Sequence, residues 1–84
     1  MLPLLKPLQL QVVDEQGEPI AQVKIMLQSL SCNGPIIYSD QNGQARLLPL
    51  LGAKWLSLSK AGFATQLLAL PVNWPLSIQL QRQP

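Results

Sequence analysis

The sequence predicts a single small all-β domain over residues 1–84, a seven-stranded antiparallel Greek-key sandwich. Three observations carry this. Apolar and polar residues alternate with period two in several short runs. Clusters of Gly, Pro, Asn and Asp interrupt those runs roughly every eight to twelve residues, as in sandwiches and small barrels. Eight prolines and five glycines leave no stretch for a helical i, i+3, i+4 apolar stripe.

Residues 1–7, Met1-Leu-Pro-Leu-Leu-Lys-Pro7, read as a Pro/Leu-rich lead-in. They have no basic leading region and no small-residue cleavage site, so they do not read as a signal peptide. The first strand follows at Leu8-Gln-Leu-Gln-Val12, with Leu8, Leu10 and Val12 on one face. Asp14-Glu-Gln-Gly-Glu-Pro19 must turn, because Gly17 accepts positive φ and Pro19 cannot donate to a ladder. Val23 to Gln28 alternates again, with Val23, Ile25 and Leu27 inward. Ser31-Cys-Asn-Gly-Pro35 is a second turn cluster, and Ile36 to Ser39 a short third strand.

Asp40-Gln-Asn-Gly43 places Asn-Gly between two β-prone runs, the strongest short-range hairpin signal, so Gln44 to Leu48 is expected to return beside the third strand. Its Asp carboxylate can accept backbone N–H groups across the turn, while Asn42 and Gly43 tolerate left-handed φ. Lys54 to Ser59 alternates next, and Lys60-Ala-Gly62 reverses the chain toward Phe63, expected to plug one end of the core. Thr65 to Leu70 is the sixth strand and Leu76 to Gln81 the seventh, with Leu76, Ile78 and Leu80 on one face.

The order Val13-Asp-Glu-Gln-Gly-Glu-Pro-Ile20, Val23-Lys-Ile, Ser39-Asp-Gln-Asn-Gly-Gln-Ala-Arg-Leu47, Leu50-Leu-Gly52 and Leu58-Ser-Lys-Ala-Gly-Phe63 resembles the carboxypeptidase regulatory-like domains, which are transthyretin-like sandwiches. The resemblance runs from about Leu8 to Leu80. It implies an accessory module attached to peptidases, surface proteins, outer-membrane transporters or secretion machinery, often outside the cytoplasm, and seldom chemistry of its own. Trp55 departs from the family pattern, since Leu56 and Leu58 have the opposite parity: either the strand is bulged or Trp55 faces outward.

Composition narrows function independently. The chain has no His, which removes the commonest general base and metal ligand. Ser31, Ser57 and Ser59 therefore lack an activating base other than Lys. The hydroxyisourate-hydrolysing branch of the transthyretin fold depends on histidines and a C-terminal tetrapeptide, whereas this chain ends Gln81-Arg-Gln-Pro84. An enzyme is not expected, nor a cofactor. Asp14, Glu15, Glu18 and Asp40 fit no calcium loop and read as solvated turns. Lys24 points away from the core and Asn33, Asn42 and Asn73 fall in turns, which argues against a Lys–Asn isopeptide bond. Cys32 is the only cysteine, so no internal disulfide forms, and it reads as an inert, buried or half-buried thiol.

Six scattered basic residues give a net charge of +2 and no stripe to follow a phosphate backbone, so nucleic acid is not an expected partner. No apolar run reaches membrane-spanning length, and the chain as given is expected to be soluble. The remaining expectation is a protein partner, a parent multidomain chain or a second copy. Apolar residues make up 48% and charged ones 12%, against about 25% charged in an average domain, which leaves apolar surface to be covered. In Thr65-Gln-Leu-Leu-Ala-Leu70, Leu67 and Ala69 take one face and Leu68 and Leu70 the other, so one set leaves the core. Trp55, Leu68 and Met26 are the expected docking residues. Trp74, in Asn73-Trp-Pro75, either presents its ring to a partner, as in a carbohydrate-binding module, or folds back to cap the core.

Overall fold

The computed structural model describes residues 8–50, 52–70 and 72–83; the lead-in over residues 1–7 lies outside them. It contains β1 (Leu8–Val13), β2 (Lys24–Gln28), β3 (Ile37–Tyr38), β4 (Gln44–Leu47), β5 (Trp55–Ser59), β6 (Gln66–Ala69) and β7 (Leu76–Gln79), with no helix among the described residues. Every alternating run is a strand: β1 runs one residue further than expected, to Val13, and the others are trimmed by a residue or two. β3 is the shortest, and Ser39, expected at its end, lies just beyond it and turns inward: its hydroxyl donates to the Ile20 carbonyl at 2.7 Å and accepts the Val23 N–H at 2.9 Å.

The strands form two sheets, β4-β1-β7 (sheet A) and β3-β2-β5-β6 (sheet B). The expectation of a wholly antiparallel arrangement is corrected at one pair: β1 and β7 run parallel, with Leu10 beside Leu76 and Val13 beside Gln79. The reason is topological. A hairpin forces antiparallel pairing only on strands that it joins directly, whereas β7 arrives from β6 of the other sheet at the end where β1 begins.

The hairpin expected at Asp40–Gly43 is likewise corrected, since β3 belongs to sheet B and β4 to sheet A, beside β1. Its local chemistry is as read: Asp40 Oδ1 accepts the N–H of Asn42 at 2.8 Å and of Gln44 at 3.0 Å. The geometry is that of a type I turn, with the Gly43 N–H on the Asp40 carbonyl at 2.9 Å and only Gly43, not Asn42, at positive φ. Asp14–Gly17 repeats the device, its carboxylate accepting from Gln16 and Glu18. Asp at the first position and Gly at the fourth thus decide both turns, and neither requires the flanking strands to pair.

Between the sheets lies the core. Leu10 and Val12 of β1, Ala45 and Leu47 of β4, and Ile78 and Leu80 at the end of the chain meet Ile25 and Leu27 of β2 and Leu56 and Leu58 of β5. Val23 and Ile20 extend it, and Phe63 closes one end as expected. Each fully covered residue of Leu size contributes roughly 1.5–3 kcal/mol. Among the described residues no buried side-chain nitrogen or oxygen lacks a hydrogen-bond partner.

Candidate functional site

The outer face of sheet B follows from the inner one. With Ile25, Leu27, Leu56 and Leu58 turned to the core, Met26, Trp55 and Ser57 must turn out, because successive side chains alternate. Register then sets them in rows. Lys24 lies between Tyr38 and Ser59, Ser57 between Met26 and Leu67, and Trp55 between Gln28 and Ala69. Tyr38 is 54% exposed, Leu67 63% and Trp55 38%, and Met26 is half-buried among them. The ladder between β2 and β5 is unbroken from Lys24↔Ser59 to Gln28↔Trp55, so Trp55 faces outward with no bulge.

Leu68 is the correction here. It stands opposite Leu56 in the β5–β6 ladder, and opposite residues share a face, so it turns inward and packs against the core. Leu67, one residue earlier, takes the outer-face position that was expected of Leu68. The alternating Leu pairs could not identify the inner member; the pairing partner does.

Trp74 is half-buried and packs against the core at the end opposite Phe63. With Leu8, Leu27, Leu50 and Leu70 it lines an apolar hollow of about 200 Å³. Its ring therefore caps an end of the core. On sheet A, Gln9, Gln11, Gln44, Arg46 and Ser77 line an open groove of about 560 Å³, together with apolar Leu10, Leu76 and Pro75 and with Tyr38 of β3.

The acidic turns cluster at the Phe63 end. Asp14 is buried, and Arg82 donates to its Oδ2 at 3.1 Å while holding its guanidinium 4.9 Å from the Phe63 ring centre. The Glu18 N–H, chiefly, with those of Gln16 and Arg82, holds the Asp14 carboxyl below its ordinary value, against the opposing effect of burial. Among the described residues no group of three or more His, Cys, Asp or Glu is placed to hold a metal ion. Lys24 and the three asparagines Asn33, Asn42 and Asn73 are all exposed, not gathered in a dry core where an isopeptide bond would form. Cys32, expected buried or half-buried, is exposed in the loop after β2, because its segment folds around Ser29, whose hydroxyl accepts the Cys32 N–H at 3.0 Å. No helix of the described residues is long and apolar enough to cross a membrane.

No family model matches the chain, and no curated protein matches it. Among solved structures it is similar to the Bacillus anthracis TIE protein, with a TM-score of 0.55 and 12% identity over 93% of this chain. The match covers 16% of that protein's chain. At this identity the likeness speaks for the all-β fold alone.

Proposed function

We propose that this chain is a non-catalytic interaction module of a larger surface or secretion assembly, a transthyretin-like Greek-key sandwich of the carboxypeptidase regulatory-like kind, which docks another protein or a neighbouring part of a parent chain through the outer face of sheet B. The observation that carries the reading is the grouping of Trp55, Met26, Leu67 and Tyr38 on that face, with Lys24 its one charge among the described residues. Covering a Leu-sized side chain contributes roughly 1.5–3 kcal/mol, so such a group favours association where scattered residues would not. The crossings from β3 to β4 and from β6 to β7 between sheets support the sandwich topology, and a solved neighbour that devotes 16% of its chain to a similar unit supports a modular role.

The test is Trp55→Ser with Leu67→Ser, followed by thermal melting and co-purification of partners from the native source. Lost association with an unchanged melt supports the reading, and undiminished association refutes it. A second reading, binding of a neutral saccharide, moves from Trp74 to the groove on sheet A. Its amide side chains each offer a donor and an acceptor to hydroxyl groups, and the exposed Tyr38 also lines it. Titration with cellotriose and chitotriose, followed at the side-chain amides of Gln9, Gln11 and Gln44, decides it: no shift at millimolar sugar removes it.

A further inference from the structure

β6 is the terminal strand of sheet B, paired with β5 on one side only. The phase of that pairing is set where the Leu70 N–H donates to the Lys54 carbonyl at 2.9 Å. In an antiparallel ladder, residues alternate between facing the partner and facing away. Gln66 and Leu68 therefore turn their peptide groups to β5, while Thr65, Leu67 and Ala69 turn theirs to the open edge. Among the described residues no hydrogen bond reaches those open groups from another segment.

Sheet edges are ordinarily guarded by charge, proline, bulges or shortness. Arg46 stands exposed in β4, β3 is two residues long and β7 starts after Pro75. Thr65 to Leu70 carries no charge and no proline, and Leu67 is 63% exposed. The open peptide groups are also symmetric about Leu67, and the proline that follows Leu70 in the sequence has no N–H to donate.

We propose that this edge pairs with a second copy of the chain, β6 against β6 antiparallel, about a two-fold axis through Leu67. Each copy then sets Leu67 opposite its counterpart and Thr65 opposite Ala69, and every such pair exchanges both backbone hydrogen bonds. The axis stands normal to the sheet, so outer faces stay outer: the two Leu67 side chains meet as a direct cross-strand pair, with Ala69 and Trp55 of each copy beside them. An uncharged strand meets itself without repulsion, whereas self-pairing along β4 would bring the exposed Arg46 side chains of both copies to one edge. So short a strand buries less than the roughly 1,200 Å² of a standard stable interface, so the dimer forms and dissociates with concentration. The pairing extends the interaction-module reading but uses the strand edge, and the two fail separately.

Sedimentation of the full chain over a concentration series tests it. The wild type is expected to shift from monomer to dimer by about 1 mM, the weak end of specific association. Leu67→Lys and Leu67→Glu should each remain monomeric, because like charges then face across the axis, and their equimolar mixture should regain the dimer. Tyr38→Ser, at the far edge of the outer face, should leave the dimer in place. A wild type that stays monomeric, a dimer that survives Leu67→Lys, or a mixture that fails to associate each overturns the proposal. Should the lysine variant misfold by circular dichroism, wild-type amide exchange decides: protection at Leu67 and Ala69 must rise with concentration. If it rises only on adding a foreign uncharged strand peptide, the edge takes a partner's strand and not a second copy.

Discussion

Val12 donates its N–H to the Gly43 carbonyl at 2.7 Å, and the Gly43 Cα stands so near the Val12 carbonyl oxygen that an added Cβ would come closer than real Cβ atoms do. This contact is where the chain leaves sheet B and joins sheet A.

Gly43→Ala is therefore expected to be among the most damaging single changes. It combines a left-handed φ of 72° with a collision against backbone that cannot move aside. A loss above roughly 3 kcal/mol is expected from strain and clash together. Gly17→Ala, in the matching turn with φ 82° and open space around it, should lose only about 1 kcal/mol. Urea unfolding of the two variants makes the comparison, and equal losses would contradict it.

Ser39→Ala removes a buried hydroxyl that serves both the Ile20 carbonyl and the Val23 N–H. Leaving buried partners unpaired costs about 1–3 kcal/mol each, so a loss of roughly 2–6 kcal/mol is expected by denaturant titration. Retained stability would show that water replaces the hydroxyl.

The Asp14 carboxyl is held below its ordinary value of 3.8 by the Glu18 N–H first of all. A carboxylate with a depressed native value contributes stability above its unfolded pKa, and that contribution fades as pH falls through the native one. Wild-type melting temperature should thus drop on acidification below about pH 4. Asp14→Asn should melt lower at neutral pH and show a shallower acid limb, and parallel pH profiles would remove Asp14 from that role.

Leu67 and Leu68 should part company on mutation. Leu68→Ser disturbs packing against the core and should lose about 1–3 kcal/mol, whereas Leu67→Ser should stay within about 0.5 kcal/mol. Thermal unfolding of the pair measures which leucine faces inward.

Cys32 is exposed and closes no loop. Cys32→Ser should change stability by less than about 0.5 kcal/mol. A loss on the scale of a disulfide, about 2–4 kcal/mol, would require a bond to another molecule.

Strand positions were legible because each depends on a neighbouring pattern. The inward set of β2, Val23, Ile25 and Leu27, needs nothing beyond alternation, and Asp14 and Asp40 cap their turns with groups two and four residues away. Where every position is apolar the pattern falls silent, as at Leu67 to Leu70, and there the choice fell to Leu56 across the ladder. The Arg82 side chain meets Asp14 and Phe63 only because the chain's end returns beside its beginning, a meeting that no local signal announces.

The sequence by itself determined the all-β class, the turns and the parity of each alternating strand, because local sterics and side-chain period act over a few residues. Only the tertiary structure decided which strands are neighbours: that β7 lies parallel to β1, that β3 and β4 part into different sheets, and that Trp55, Met26 and Leu67 share one face. Those choices rest on how two sheets close over one core. That is a balance of burial summed over the whole chain, and no single segment carries it.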